Sequence, residues 1–341
     1  MQHASGGDEE IPVSGSNRRN EDMEYGFYGR LKEEFPSQVI VDINDACNYE
    51  CIHCPNARMK REGKITGSLL SRELNRKMVD EVARYGRGIT QQIRYASDGE
   101  PFLHPEVMEL LEYAVRRSGT MVSVTTNGSL LDEEKMLRLQ EMGLGLIDFS
   151  LDAYRDGTYS EIRRNGDLEV VRRNVLKMLE IRERTRSRTK IVVSFVLQEK
   201  NKEEKDDFEE YWKSRGVDWV IIRKLHTAGG TVENDVRVGD TGRAYPCVYL
   251  WERIVLDHKG RLSYCPANWE GDRLICRDYS QTSIKDVWNG EEYRRLRNEH
   301  LTNCFSEDNS CRNCKDRFLT IWPERGELAY GDMLSAFQQK R

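Results

Sequence analysis

The residues of this chain best suited to chemistry are its nine cysteines, which fall into two groups. Cys47, Cys51 and Cys54 form a CxxxCxxC loop. Three thiolates this close can bind three irons of a [4Fe–4S] cube and leave the fourth iron open to another molecule. The alternative is a tetrahedral zinc site. Zinc needs a fourth ligand, and His53, between two of the cysteines, cannot easily supply it.

The second group of cysteines lies in the C-terminal third of the chain. Cys247 and Cys265 flank a predicted β-hairpin with strands at 253–256 and 261–265 and Gly260 in its turn. A CxxC pair follows near the end, and two further cysteines stand between and beside these positions. The members of the group are Cys247, Cys265, Cys276, Cys304, Cys311 and Cys314. Their spacing predicts a second metal centre, with a zinc ribbon as the alternative.

Short apolar strands alternate with amphipathic helices from residue 38 onward, a pattern typical of βα units around a parallel sheet. We predict strands at 39–43, 92–95, 121–125, 146–151, 190–197 and 219–222, and helices at 71–85, 105–118, 132–142, 168–181 and 204–215. Six strands predict an α/β fold built on a partial (β/α)6 barrel. A charged helix at 284–300 is predicted within a small C-terminal α+β domain.

Composition sets the predicted domain boundaries. Polar residues 1–35 predict a disordered tail, 36–239 the barrel, 240–330 the cysteine-rich domain and 331–341 a C-terminal tail. With 38% hydrophobic and 33% charged residues among 341, the chain suits a globular protein.

Charge and hydropathy exclude several functional classes. The net charge is −5, and the sequence lacks a basic stripe with interleaved aromatic residues. We therefore expect that nucleic acid is not a partner. No apolar run approaches the roughly 18 residues needed to span a bilayer. The polar N-terminus lacks the pattern of a signal peptide, which predicts a cytoplasmic protein. In that reducing compartment, many cysteines indicate metal binding or catalysis rather than disulfides.

The first cysteine loop, placed after the first strand of a βα fold, resembles that of the radical S-adenosylmethionine (SAM) superfamily. Three further motifs follow in the family's order and extend the resemblance over about residues 36–225: Ser97-Asp98-Gly99-Glu100-Pro101, Thr126-Asn127-Gly128 and Ser150-Leu151-Asp152. The first is similar to the family's Gly-Gly-Glu-Pro motif, with Asp98 in place of the first glycine.

The resemblance implies that SAM chelates the open iron and is cleaved to methionine and a 5′-deoxyadenosyl radical. It implies that Gly99 and Glu100 bind the amino group of SAM and that Ser150 binds its ribose or carboxylate. Arg163 would pair with that carboxylate, and His53 would pack near the adenine. The alternatives are a strand cap for Ser150 and a solvated helix charge for Arg163. The family also implies an electron donor such as flavodoxin or ferredoxin.

The second cysteine group resembles the SPASM and shorter twitch domains of radical SAM enzymes. That resemblance implies one auxiliary [4Fe–4S] cluster held by Cys247, Cys265, Cys311 and Cys314. Two thiols are left over. Cys276 and Cys304 are either small buried hydrophobes or candidate hydrogen-atom donors, with Cys276 favoured because Cys304 sits near the CxxC pair and could instead replace an auxiliary ligand.

These features predict a radical SAM oxidoreductase acting on a small polyhydroxylated molecule, a sugar or aminocyclitol, by dehydrogenation of a secondary alcohol. Arg223, Lys224 and His226, after the last strand, are candidates for binding hydroxyls or taking the proton, or are solvated loop charges. The alternatives are an epimerase with a cysteine donor, a peptide-modifying or sulfatase-maturing enzyme, and a zinc-stabilised module without catalysis.

Overall fold

The computed structural model describes residues 25–29, 31–96, 98–232, 246–320, 322, 333, 334 and 337. At its centre six parallel strands are hydrogen-bonded side by side in the order β1, β3, β4, β5, β7, β8. They are β1 (Gln38–Val41), β3 (Gln92–Tyr95), β4 (Met121–Thr126), β5 (Leu146–Ser150), β7 (Lys190–Leu197) and β8 (Trp219–Lys224). Parallel neighbours require crossover connections, so the predicted α/β class with a partial (β/α)6 barrel is confirmed.

Helices supply these connections. Five of the seven given below lie close to the predicted positions, and Pro55–Arg61 and Asp156–Ile162 were not predicted. Ser71 caps the helix that begins at Arg72 by accepting from the N–H of Leu74, and Asp132 caps the helix that begins at Glu133 by accepting from the N–H of Lys135 at 2.8 Å. The helices are α1 (Pro55–Arg61), α2 (Arg72–Tyr85), α3 (Val107–Arg117), α4 (Glu133–Glu141), α5 (Asp156–Ile162), α6 (Leu168–Thr185) and α7 (Lys205–Ser214).

The two faces of the sheet differ in chemistry because side chains alternate along each strand. Tyr95 points to the helices, where its hydroxyl donates to Asn75 Oδ1 of α2 at 2.7 Å. The opposite, inner face carries a polar row: Gln38 Nε2 donates to Gln92 Oε1 and Gln92 Nε2 donates to Ser123 Oγ, both at 2.7 Å. The helix side therefore holds the main apolar core. The inner face carries this polar row, and Leu146, Val192 and Ile221 of the same face form a smaller apolar cluster with Met333, Leu334 and Phe337.

The C-terminal part extends the same sheet. Strand β9 (Arg253–Leu256) pairs in parallel with β1, and β10 (Leu262–Ser263) and β11 (Leu274–Cys276) follow as antiparallel neighbours. The predicted hairpin between β9 and β10 is present. Its turn is fixed by Asp257 Oδ1, which accepts from two backbone N–H groups, and by Gly260 at φ +73°.

Two predictions about extent are wrong. The single helix expected at 284–300 is two, α9 (Ile284–Trp288) and α10 (Glu291–Thr302), after the short α8 (Tyr249–Glu252). The break lies at Gly290, whose backbone is extended and forms the N-cap of α10. The predicted disordered tail does not reach residue 35, since Phe35 is fully buried beside Tyr85.

The structure does not test the other predicted domain boundaries. Residues 1–24, the predicted boundary between 239 and 240 and most of the tail at 331–341 lie outside the described residues. Met333, Leu334 and Phe337 of that tail are described and are buried. Within the described part, no helix is long and apolar enough to cross a membrane.

Candidate active site

The loop cysteines, Cys47, Cys51 and Cys54, lie beyond the carboxyl end of β1. Cys51 belongs to β2 (Glu50–Cys51), which pairs antiparallel with β6 (Arg163–Arg164). Cys54 stands at the N-cap of α1, and its N–H donates to the Cys51 carbonyl at 3.1 Å. The pairing of β2 with β6 and the start of α1 therefore fix the loop that carries the three thiols.

The electrostatics of the loop cysteines fit a metal cluster. Burial raises the pKa of Cys47 to about 11 and also raises the pKa of the Cys51 and Cys54 thiols. Cys51 raises the pKa of both other thiols further, so the three lie within electrostatic reach of one another. Arg163 Nη1, 3.8 Å from Cys51 Sγ, acts in the opposite direction. Crowded buried thiols ionise when a cationic partner binds them, and the irons of a cluster are such partners.

The loop after β3 packs directly on the cysteine loop. Gly99 N–H donates to the Asn44 carbonyl at 3.2 Å, and Glu100 N–H donates to the Ala46 carbonyl at 2.8 Å. A Cβ at Gly99 would lie 2.1 Å from the Ala46 oxygen, so the close approach requires glycine. Ser97, the first residue of this motif, lies outside the described residues.

The Glu100 carboxylate faces the turn after β4. It is buried, and it accepts from Thr126 Oγ1 at 2.6 Å and from the N–H groups of Asn127 and Phe102 at 2.8 and 3.1 Å. Burial raises the pKa of Glu100, and these hydrogen bonds lower it. A carboxylate has about four acceptor positions, so roughly one remains for a ligand. Glu100 thus ties two predicted motifs together, and its contact with the amino group of SAM stays a prediction.

Arg163 is a buried ion-pair partner, which corrects its alternative as a solvated helix charge. Its Nε and Nη2 atoms lie 2.9 and 2.6 Å from Asp152 Oδ2. The same oxygen is 3.5 Å from His53 Nε2, and Asp152 Oδ1 accepts from the N–H of Val196 at 2.6 Å. Asp152 adopts φ +64°, a left-handed conformation that aspartate tolerates. It therefore holds Arg163 and His53 beside the cysteines, a role that the sequence reasoning missed.

The two other residues predicted to contact SAM, His53 and Ser150, lie on the cysteine loop and at the end of β5. Burial lowers the pKa of His53 to about 4, so its ring is neutral, and Nδ1 lies 3.2 Å from Gln198 Nε2. A neutral ring suits packing near a base. Ser150 ends β5, half-buried, opposite Ser194 of β7. Both SAM contacts remain predictions.

The auxiliary cysteines, Cys247, Cys265, Cys311 and Cys314, converge from distant parts of the sequence. After burial, the other three are the charges that most raise the pKa of Cys247, and Cys265 and Cys314 raise that of Cys311. Among described residues, no three Cys, His, Asp or Glu side chains are arranged to hold a single metal ion. In a [4Fe–4S] cluster each cysteine binds its own iron, so the four thiols fit such a group without that arrangement.

The two remaining cysteines are separate from this set. Cys276 is half-buried in β11, the edge strand, with β10 and β9 between it and β1. Cys304 is exposed just after α10. Neither position is on the six parallel strands.

The inner face also carries charged residues that the sequence reasoning missed. Arg94 donates from Nε and Nη2 to Thr125 Oγ1 at 3.2 and 3.1 Å, and its Nη2 lies 3.9 Å from Asp148 Oδ2. Arg223 Nη2 donates to the same Asp148 oxygen at 2.6 Å. Asp148 is fully buried, and its Oδ1 has no hydrogen-bond partner among the described residues. Alternation of polar residues along the strands was the available signal.

The other two candidates after β8 have different surroundings. Lys224 is exposed, and His226 Nδ1 accepts from the N–H of Ala228 at 3.0 Å. Arg223 is thus the candidate that the structure joins to the inner face, through its hydrogen bond to Asp148.

Comparison with known proteins agrees with this geometry. Residues 41–210 match the family model of the radical SAM superfamily, and residues 247–315 match the SPASM model, an iron–sulfur cluster-binding domain. Iron–sulfur models over both cysteine groups decide against the zinc-stabilised alternative.

Similar proteins cover different shares of the chain. An Fe-coproporphyrin III synthase of Methanosarcina barkeri is 30% identical over 140 residues, 38% of this chain and 33% of that protein. The chain spans between a third and about half of the first curated relatives it matches.

Solved structures agree in fold. BtrN in complex with AdoMet and 2-DOIA has a TM-score of 0.53 at 15% identity, covering 86% of this chain and 94% of that one. Streptococcus suis SuiB bound to precursor peptide SuiA has a TM-score of 0.62 at 12% identity, covering 84% and 71%. These identities show likeness of fold alone. Given the two family matches, this chain belongs to the radical SAM superfamily, with SAM, a SAM-binding [4Fe–4S] cluster and an auxiliary [4Fe–4S] cluster as its cofactors.

Proposed function

We propose that this chain is a radical SAM oxidoreductase that dehydrogenates a secondary alcohol of a small polyhydroxylated molecule, a sugar or aminocyclitol, bound at the inner face of the sheet. The loop cysteines would hold the SAM-binding cluster and the auxiliary cysteines the second cluster. When bound, these cofactors supply a hydrogen-abstracting radical and an electron acceptor. The chain's own residues bind the substrate, orient it and exclude water.

The charged residues on the inner face are the observation that carries this proposal. Arg94 and Arg223 both reach the buried Asp148 carboxylate, which holds their guanidinium groups in place. Guanidinium donors and a carboxylate acceptor suit a substrate with several hydroxyl groups. The unpartnered Asp148 Oδ1 is an acceptor whose burial is costly unless a donor reaches it. A substrate hydroxyl is such a donor.

Two further observations support dehydrogenation of a small molecule. BtrN, which resembles this chain over nearly its whole length, binds 2-DOIA together with AdoMet in its crystal structure. The edge position of Cys276 and the exposure of Cys304 give no support to a thiol donor facing the substrate, which epimerisation requires. The likeness to SuiB favours the peptide-modifying alternative in the same way. Both likenesses are of fold, so the contacts of Asp148, rather than either neighbour, carry the choice of a small molecule.

The test is turnover of anaerobically reconstituted enzyme with SAM, reduced flavodoxin and a panel of sugars and aminocyclitols in deuterated water. We expect 5′-deoxyadenosine and a product two hydrogens lighter than its substrate, with no solvent deuterium at a retained carbon. Cys276→Ala and Cys304→Ala should form the same product. Solvent deuterium at one inverted carbon, lost in either variant, would establish epimerisation instead. Turnover of peptides alone would refute the substrate class.

A further inference from the structure

A cavity of about 370 Å³ lies where the inner face meets the C-terminal hairpin. Asp42, Asp98 and Asp257 follow the carboxyl ends of β1, β3 and β9, which are adjacent strands, and all three line the cavity. Asp42 N–H donates to the Leu256 carbonyl at 2.8 Å, which continues the β1 and β9 pairing and sets Asp42 beside Asp257. The volume lies within the range of small-molecule sites.

The charges lining this cavity do not balance. Arg261 Nε pairs with Asp257 at 2.7 Å, and Lys64 pairs with Glu270 at 3.0 Å. Among the described lining residues, these pairs leave one further cation, Lys259, for three carboxylates: Asp42, Asp45 and Asp98. Asp45 already accepts hydrogen bonds from Thr66 and Gly67, so the excess negative charge concerns Asp42 and Asp98.

Two of these carboxylates are held close to each other. Asp98 N–H donates to Asp42 Oδ1 at 2.6 Å. Burial and then Asp98 raise the pKa of Asp42, and burial and the Asp257 charge raise the pKa of Asp98 to about 7. Bringing these carboxylates together is unfavourable unless a proton or another cation joins them. The Asp98 carboxyl exists because this chain has aspartate where the family motif has glycine.

His258 is an independent sign of a ligand at the same place. It lines the cavity and is 8% exposed, yet neither ring nitrogen has a hydrogen-bond partner among the described residues. Its Nε2 is 3.6 Å from Asp45 Oδ2, beyond hydrogen-bond distance. A buried imidazole without partners is costly, and a ligand hydroxyl would satisfy it.

We propose that this cavity binds a small molecule carrying a protonated amine beside hydroxyl groups, with Asp42 and Asp98 contacting the ammonium and His258 contacting a hydroxyl. The inference rests on the proposed function and selects, from its sugars and aminocyclitols, those that carry an amine. Arg94, Asp148 and Arg223 do not line the cavity, but Asp42 lies two residues beyond Ile40, the register partner of Arg94, so the cavity adjoins them on the same face of the sheet. The cavity lies between Asp98, next to the predicted SAM contacts, and Cys265, an auxiliary cysteine. A substrate held there would lie between the two cofactor sites.

The occupant to which the charges point is organic rather than metallic. Within the described residues these carboxylates do not form a group able to hold a metal ion. An ammonium group, by contrast, is compact and donates three hydrogen bonds, so carboxylates can bind it from several directions.

Calorimetric titration of the reconstituted holoenzyme, saturated with SAM and without reductant, tests the proposal with glucosamine and glucose as a matched pair. We expect glucosamine to bind about tenfold or more tightly than glucose. Asp42→Asn should bring the ratio close to one, and His258→Gln should weaken both sugars. Glu134→Gln, on the exposed surface of α4, removes one charge elsewhere and should keep the preference.

Equal binding of the two sugars, absence of binding included, would overturn the proposal. So would a preference unchanged in both Asp42→Asn and His258→Gln, and so would amine binding seen only without SAM. Thermal melting of each variant separates loss of fold from loss of the site. The titration needs no turnover, so failure of SAM cleavage would refute the proposed function while leaving the amine preference measurable.

Discussion

Replacement of Gly99 by alanine tests the contact between the cysteine loop and the predicted SAM-binding loop. The new Cβ would lie 2.1 Å from the Ala46 carbonyl oxygen and 2.6 Å from Asn44 Oδ1. Ordinary contact begins at 3.4 Å, so the backbones must separate by 1.3 Å, which is 3.4 minus 2.1. That shift breaks the hydrogen bonds of Gly99 N–H to Asn44 and of Glu100 N–H to Ala46.

The size of the effect follows from these contacts. Overpacking costs about 1–3 kcal/mol, and each lost hydrogen bond about 0.5–1.5 kcal/mol. We therefore expect Gly99→Ala to lower the free energy of unfolding by about 2–6 kcal/mol. At roughly 2 °C per kcal/mol, the melting temperature should fall by about 4–12 °C. SAM affinity should fall as well, because the loop predicted to bind its amino group is displaced.

The matched control is Gly157→Ala. Gly157 lies in the first turn of α5, and a Cβ there meets nothing within 4 Å. Alanine is the better helix former by about 1 kcal/mol, so this variant should match or exceed wild type in stability. Anaerobic thermal melting and SAM titration measure both variants. A Gly99→Ala protein equal to wild type in melting temperature and SAM affinity would refute the packing argument.

Two further predictions concern the clusters and the buried ion pair. Wild-type protein should hold about eight irons. Alanine at all three loop cysteines should abolish SAM cleavage and leave about half of that iron, whereas single alanines at the auxiliary cysteines should lose iron but keep some SAM cleavage. Iron loss in Cys304→Ala as large as in Cys311→Ala would make Cys304 a ligand. Asp152→Asn keeps the shape at φ +64° but leaves Arg163 buried without its charge partner. It should cost about 3–5 kcal/mol in chemical denaturation; a loss below about 1 kcal/mol would contradict the importance of this pair.

The sequence predicted the barrel well because its signals are local. Strand and helix positions follow from periodicity within short windows, and caps such as Ser71 and Asp132 act within one turn. The first cysteine loop is also a local signal, because its three cysteines lie within eight residues of sequence and are close to one another without long-range contacts. The two wrong predictions also have local causes. Gly290 divides the helix predicted at 284–300, and Phe35, at the end of the predicted tail, is buried in the core.

The sequence by itself therefore determined the α/β class, the order of the elements and the cysteine loop, whereas tertiary structure decided the chemistry around them. Only the folded chain makes three sets of contacts: Asp152 with Arg163 and His53, Asp148 with Arg94 and Arg223, and the acidic cavity. Asp148 on β5 meets Arg94 of β3 across β4 and Arg223 of β8 across β7. A charged residue in a strand has the same sequence signature whether solvent or a buried partner faces it. Asp42 and Asp257 meet because β9 adds to the edge of β1, and this choice depends on long-range packing that no short window of sequence contains.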